Sequence, residues 1–329
     1  MTAAFRILCI AAAMACSAAP IGHAADIEDS DQAAVEADDD DEGVETEDIF
    51  GFTEGADTGE AGEREIGASL LLRTGKDSFV EADDDDADFA LGPDHYRAFS
   101  GALEFEYSVT DALKVSAEAA GVRFDQENVF EPGHDTSGGL GGLSGEIKYK
   151  LLDRATSPIG FALGAEVEWS RFDEVEGERE DSIGVELKAF ADAELIPNTL
   201  FAAVNVSYEP EWSLEDDGSD EAEEAGEEDE EDSDKESGLE IAAALSARVA
   251  DDFFLGGEAR FLVAGEGLAF DEVVANAFYL GPTLYWGFAD NAYLKAAWSI
   301  HVAGDARGDE DEFEEFERHQ LLAQVGFEF

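Results

Sequence analysis

The repeat of apolar side chains at every second position restricts the fold of this chain more than any other feature. Leu294, Trp298 and Ile300 fall on one set of alternate positions, whereas Lys295 and Ser299 fall on the other. Successive side chains of a β-strand point to opposite faces, so this period predicts strands with one apolar and one polar face. A helix would need apolar residues three and four positions apart. The pattern therefore predicts an all-β chain.

Twelve such runs follow one another toward the C-terminus. They cover residues 65–74, 97–108, 112–124, 140–152, 159–172, 181–195, 199–212, 237–249, 252–264, 275–289, 291–303 and 316–329. The connections between them are alternately short and long, and the long ones are mostly acidic. Short turns on one side and longer loops on the other are typical of outer-membrane barrels, and closure leaves no strand edge unpaired in lipid. A soluble sandwich also alternates, but it does not require this pattern of connections. We predict a transmembrane antiparallel up-and-down β-barrel of about 12 strands over residues 65–329.

The N-terminal region has the features of a secreted chain. Arg6 precedes an apolar stretch, and small residues follow up to Ala24, which predicts a signal peptide over residues 1–24. Both cysteines of the chain, Cys9 and Cys16, lie in this signal, so the mature chain is expected to have no disulfide and no thiolate site. Residues 25–64 are acidic and contain few apolar side chains, and we predict a largely disordered periplasmic leader there.

The charge balance restricts the classes of partner. The chain has 81 Asp and Glu residues against 19 Lys and Arg residues, a formal net charge of -62. Nucleic-acid phosphates are bound by clustered basic side chains, so we expect that this chain does not bind nucleic acids. Metal cations and cationic solutes are the partners that such a field attracts.

Two groups of acidic loop residues are predicted to attract cations and to bind Ca²⁺ or Mg²⁺ weakly through their carboxylate oxygens. Neither group has the spaced ligands and turn glycine of a calcium loop, so a solvated charge run is the alternative. Apart from these ions, no cofactor is expected. The two groups are Asp83, Asp84, Asp85 and Asp86 in one loop, and Glu227, Glu228, Asp229, Glu230, Glu231 and Asp232 in another.

Charged residues of both signs fall on the polar faces of the runs, which are predicted to line the barrel lumen. Twelve strands lie between about eight, whose interior side chains fill the barrel, and the sixteen or more of open porins. Both a salt-bridged filled lumen and a narrow pore therefore agree with the sequence. The predicted lumen residues are Glu104, Glu166, Glu186, Lys188, Glu258, Arg260 and Lys295.

Catalytic residues are not indicated. His134 and Ser137 lie in a predicted glycine-rich loop, and Ser299 and His301 share a polar face without a third group to orient them. The other histidines of the mature chain lack the spacing of metal ligands. We therefore expect no enzymatic activity.

The last strand ends in an alternating pattern with aromatic Phe327 and Phe329. This resembles the C-terminal assembly signal of bacterial outer-membrane barrels. The resemblance implies recognition by the barrel-assembly machinery, location in the outer membrane, and contact with its lipid and lipopolysaccharide.

Four further segments resemble a group of uncharacterised alphaproteobacterial outer-membrane proteins. That resemblance covers residues 49–329 and implies fold and location only. The four segments are Phe50–Gly55, Ser207–Trp212, Gly281–Trp286 and Glu317–Gln320.

The sequence leaves the oligomeric state open. Two functions agree with it. The first is a narrow pore for small solutes or cations. The alternative is a non-conducting structural or surface-interaction barrel, whose acidic loops bind divalent cations.

Overall fold

Twelve β-strands make up most of the chain. The computed structural model describes residues 44–76, 95–127, 129, 134–214, 235–306 and 315–329. No helix in these ranges is long and apolar enough to cross a membrane. The strands are β1 Arg64–Thr74, β2 His95–Thr110, β3 Leu113–Glu127, β4 His134–Leu152, β5 Gly160–Ser170, β6 Ser182–Ile196, β7 Leu200–Ser213, β8 Lys235–Ala250, β9 Phe253–Glu266, β10 Glu272–Ala289, β11 Ala292–Ala306 and β12 His319–Glu328.

The strands form a closed antiparallel barrel in which each strand pairs with its neighbours in the chain. The first and last strands close it, with Glu65 opposite Glu328 and Thr74 opposite His319. The predicted twelve-strand up-and-down barrel is thus confirmed. Closure leaves no unpaired strand edge, which a sheet in lipid requires.

The turns at one end of the barrel are tight. Two residues connect β2 to β3, β8 to β9 and β10 to β11, and three residues connect β6 to β7. We call this the short-turn end. The connections 75–94, 214–234 and 307–318 leave from the opposite end, which we call the long-loop end.

The prediction that short and long connections alternate strictly is wrong in one respect. Residues 153–159 connect β4 to β5 at the short-turn end, whereas only 128–133 connect β3 to β4 at the long-loop end. The predicted loop over residues 125–139 is largely strand, because the β3–β4 ladder continues until Glu127 lies opposite His134. Backbone pairing extends this hairpin even though its side chains no longer alternate in polarity.

The outer face of the barrel is apolar. Leu103 is 64% exposed, Val167 57% and Leu70 50%, and such a continuous apolar belt is the face that a transmembrane barrel presents to lipid. Aromatic side chains on this face follow the same alternation, and Tyr149, Trp286 and Trp298 are among the exposed ones.

The interior holds a segment that the sequence analysis assigned to the leader. Residues 44–63 lie inside the barrel, where Phe50, Thr53 and Ala56 are fully buried. The prediction of a disordered leader up to residue 64 is therefore wrong for this part, and residues 1–43 lie outside the described ranges. The prediction considered only apolar burial, whereas this segment is held mainly by polar side chains of the wall.

Candidate functional site: an acidic vestibule above a segment in the lumen

Residues 44–63, the lumen segment, fold back on themselves inside the barrel. The backbone N–H of Gly55 donates to the carbonyl of Glu47 at 3.3 Å, and the chain reverses direction between these two residues. Phe52 lies in this reversal and contacts the cavity at the long-loop end. The segment then returns to the short-turn end, where the backbone N–H of Gly62 donates to the carbonyl of Ser108 at 2.7 Å.

Two apolar contacts fix the segment to the wall. Ile49 and Phe50 pack in a buried cluster with side chains of β7, β8 and β9, including Phe201 and Phe254. On the neighbouring strands, Ala56 packs in a smaller cluster of β5 and β6 side chains. The apolar contacts of the segment therefore lie along one arc of the wall, from β5 to β9.

Two buried carboxylates of the wall bind the segment more specifically. Asp192 of β6 accepts hydrogen bonds from the Thr46 hydroxyl at 2.7 Å and from the backbone N–H of Ala56 at 2.6 Å. Glu258 of β9 accepts from the backbone N–H of Phe52 at 2.9 Å. It also accepts from the backbone N–H and the hydroxyl of Thr53, both at 2.5 Å. These bonds satisfy backbone groups that have no partner strand.

Carboxylates of the segment in turn pair with basic side chains of the wall. Glu47 lies 2.6 Å from the ammonium groups of both Lys114 and Lys148. Asp48 lies 3.0 Å from that of Lys295. Because Lys148 is only 1% exposed, its charge depends on these partners for stabilisation.

Glycines allow this close packing. A Cβ at Gly51 would lie 2.3 Å from the Glu258 carboxylate, and one at Gly55 would lie 2.4 Å from the Thr46 hydroxyl. Gly51, Gly55 and Gly59 occur at four-residue intervals between the acidic stretch and the first strand. This spacing was a signal in the sequence that the segment packs against other parts of the chain.

A cavity of about 780 Å³ extends from the lumen segment to the long-loop end, and we call it the vestibule. Twelve carboxyl groups and two guanidinium groups line it, so acidic side chains outnumber basic ones by ten. Arg260 lies over the Phe52 ring at 4.0 Å and pairs with Glu240 at 2.8 Å. The carboxylates are Glu168, Asp173, Glu174, Glu176, Glu180, Glu186, Glu209, Glu211, Glu236, Glu240, Glu266 and Glu315, and the guanidinium groups are those of Arg73 and Arg260.

A second cavity of about 170 Å³ lies deeper in the barrel, lined in part by Glu47 and Glu54 of the segment. Glu104 and Glu166 of the wall also line it. Beside it, the ammonium group of Lys188 contacts Glu166 at 2.6 Å and Glu186 at 2.9 Å. Glu146 is a third carboxylate at 2.8 Å, so one cation faces three anions.

The predicted lumen residues thus separate into three environments. Glu104, Glu166, Glu186 and Lys188 lie around the deeper cavity, with Glu186 also reaching the vestibule. Arg260 faces the vestibule, while Glu258 and Lys295 bind the lumen segment. The two acidic loop groups, Asp83–Asp86 and Glu227–Asp232, lie outside the described residues.

Three carboxylates converge at the short-turn end. One oxygen from each of Glu45, Glu63 and Glu328 lies within 4.8 Å of the others. Partial burial, together with the charges of Glu63 and Glu328, raises the pKa of Glu45 to about 8. This carboxyl group therefore binds its proton more tightly than an isolated glutamate does.

One member of each serine and histidine pair considered above contacts a backbone carbonyl. The Nε2 atom of His301 lies 3.0 Å from the carbonyl of Ala303, and its ring stacks on Tyr279. The Ser137 hydroxyl donates to the carbonyl of Gly177 at 2.6 Å, and His134 is exposed. These contacts give His301 and Ser137 structural roles.

Comparison with known proteins assigns the chain to a family. Residues 42–329 match the model of a family of unknown function, DUF6662. The chain belongs to this family. The match includes the lumen segment as well as the barrel, while the alphaproteobacterial grouping stays a prediction. None of the curated proteins compared with the sequence matches it.

Among solved structures, an outer-membrane channel shares the architecture. The COG4313 outer membrane channel from Pseudomonas putida F1 is 15% identical with a TM-score of 0.51, over 83% of this chain and 98% of that one. The KdgM porin is 10% identical with a TM-score of 0.41, over 80% and 99%. The β domain of the Bordetella autotransporter BrkA is 11% identical with a TM-score of 0.47, over 82% and 100%. At these identities the similarity to the channel shows a common fold, and the two lower scores carry no argument.

Proposed function

We propose that this protein is a bacterial outer-membrane channel that accepts small cations and cationic solutes through its acidic vestibule. The observation that carries the proposal is a cavity of about 780 Å³ lined by twelve carboxyl groups and only two guanidinium groups. A cavity lined by one sign of charge raises the local concentration of counter-ions, and more strongly at low ionic strength. The acidic groups Asp83–Asp86 and Glu227–Asp232 belong to connections at the same end and add to this field.

The proposed orientation places the long-loop end outside the cell and the short-turn end in the periplasm. Long external loops and tight periplasmic turns are the rule in bacterial outer-membrane barrels. Phe327 and Phe329 then lie at the periplasmic end of β12, where the barrel-assembly machinery would contact them. Lipid and lipopolysaccharide would surround the apolar outer face.

Ion selectivity of the refolded protein in planar bilayers tests the proposal. Under a salt gradient, the reversal potential should indicate a preference for cations. The triple variant Glu174→Gln, Glu180→Gln, Glu266→Gln removes three vestibule carboxylates and should reduce this preference, most strongly at low salt. A matched control neutralises Asp251, Asp252 and Asp290 in the short turns and should leave the preference nearly unchanged. Anion preference of the wild-type channel would refute the proposal.

The second candidate is a non-conducting structural or surface barrel. The lumen segment favours it, because its contacts reach side chains on both sides of the interior, from Asp192 of β6 to Lys295 of β11. In that case the acidic loops would bind Ca²⁺ or Mg²⁺ and so bridge to anionic lipopolysaccharide. Absence of conductance from the wild-type protein and from a chain without the lumen segment would favour this second function.

A further inference from the structure

We infer that the lumen segment is an autoinhibitory plug, which leaves the barrel through the short-turn end and thereby makes the lower lumen less acidic. The conductance part of this inference rests on the proposed channel function. The release of the segment can be measured without conductance.

The barrel wall does not depend on the segment for its backbone hydrogen bonds. β1 follows the segment directly, and its ladder with β12 extends from Glu65 to Thr74. Its ladder with β2 runs from Arg64 to Thr74. Both edges of β1 are thus paired without the lumen segment, so the segment can leave without opening the sheet.

The contacts that hold the segment are of a kind that water can replace. Asp192, Glu258, Lys148 and Lys295 bind it through hydrogen bonds and ion pairs. Among the large apolar side chains of the segment, only Ile49 and Phe50 belong to a buried cluster. Once the segment leaves, the polar groups of the wall would face a water-filled lumen, which reduces the penalty that stranded buried charges otherwise incur.

The charge of the lower lumen changes because the segment carries the carboxylates and the wall carries the basic groups of these ion pairs. The segment supplies carboxylates to basic groups of the lower wall, and these groups lose those partners when it leaves, although Lys114 keeps Glu106 and Arg154 keeps Asp192. Glu47 pairs with Lys114 and Lys148, Asp48 pairs with Lys295, and Asp57 pairs with Lys150 and Arg154.

In the plugged lower lumen, carboxylates of the segment add to those of the wall around a few lysines. While the segment is in place, the deeper cavity is lined mainly by carboxylates, including Glu47, Asp48 and Glu54 of the segment. A plugged barrel and an open barrel should therefore differ both in conductance and in ion preference.

Removal of the segment is the first test. A chain that starts, after its signal, at Gly59 lacks the contacts to Asp192, Glu258 and the wall lysines but keeps the Gly62 and Glu63 bonds to Ser108. In planar bilayers, its conductance should be several-fold that of the full mature chain, and its ratio of cation to anion permeability should be lower. Unchanged conductance of the shortened chain would overturn the inference, while the cation preference of the full chain would continue to support the channel function.

Point variants test release in a chain of full length, and they decide the matter if the shortened chain does not assemble. Asp48→Lys places a positive charge beside Lys295 and should increase the time spent in a high-conductance state. Adding Lys295→Asp to this variant restores an ion pair of reversed polarity and should return the channel to wild-type behaviour. Glu47→Gln should also promote opening, whereas Glu60→Gln in the exposed part of the segment should not. Identical traces from Asp48→Lys and from the wild-type chain would refute the plug.

A labelling experiment measures release without any need for conduction. Thr53→Cys introduces a thiol at a fully buried position of the segment, in a mature chain that otherwise lacks cysteine. A membrane-impermeant maleimide should label it slowly, and adding Glu47→Gln should increase the labelling rate at least several-fold. If labelling increases while no variant conducts, the segment is mobile and the channel function fails. If labelling stays equal in both proteins, the segment is a fixed part of the barrel and the plug inference fails.

Discussion

Replacing Glu258 with glutamine should loosen the lumen segment at its point of reversal. Glu258 accepts three hydrogen bonds from Phe52 and Thr53. One carboxylate oxygen serves the N–H of Phe52, and the other serves the N–H and the hydroxyl of Thr53. Glutamine offers a single acceptor oxygen, and its amide NH₂ would face donors instead of accepting from them.

The magnitude follows from these three bonds. A hydrogen bond to a charged group contributes about 1.5–3 kcal/mol, and a neutral one about 1 kcal/mol. Glutamine keeps neutral bonds on one oxygen and loses those on the other, so the segment should be held less strongly by about 3 kcal/mol. Glu258 is only 5% exposed, so water does not readily replace the lost acceptor. A loss of this size increases the population of the released segment about 100-fold.

Hydrogen–deuterium exchange measured by mass spectrometry is the assay. Peptides that contain Phe52 and Thr53 should exchange about 100-fold faster in Glu258→Gln, because exchange follows the free energy of local opening. Peptides from the strands should be unchanged, since the barrel ladders do not involve the segment. Glu166→Gln is the control, because Glu166 pairs with Lys188 and makes none of the segment's hydrogen bonds. Equal exchange in Glu258→Gln and wild type, or the same increase in Glu166→Gln, would refute the reasoning.

Two further predictions concern Phe329 and Glu45. Deleting Phe329 should impair assembly and leave the protein degraded or in periplasmic aggregates, as measured by cell fractionation. The Phe329 side chain is 63% exposed, so its deletion loses little folding energy. Phe288→Ala on the same outer face is the control. A normal heat-modifiable barrel without Phe329 would exclude the C-terminal assembly signal. Because the pKa of Glu45 is raised from 4.5 to about 8, the contribution of this group to docking of the segment should be largest below pH 4.5 and be lost as the pH rises to about 8. Segment exchange, corrected for intrinsic rates, should lose this part of its pH dependence in Glu45→Gln, and an unchanged pH profile would contradict the raised pKa.

Local patterns in the sequence determined the barrel. Leu294, Trp298 and Ile300 alternate with Lys295 and Ser299, and this two-residue period fixes both the strand and its two faces without knowledge of any partner. The tight turns, such as residues 251–252, determine which strands are neighbours. Strand ends were less predictable, as in β4, which begins at His134 because pairing with β3 extends it.

Only the tertiary structure decided what occupies the lumen. Residues 44–63 have too few apolar side chains to indicate burial, and their partners lie far away in the sequence. Thr46 binds Asp192 across 146 positions, and Phe52 binds Glu258 across 206. Closing the barrel brings these carboxylates together around one polar hairpin. The polar faces of the strands could be predicted from the alternation, but the vestibule and the plugged lower lumen depend on which charges of separate strands and of the segment meet inside.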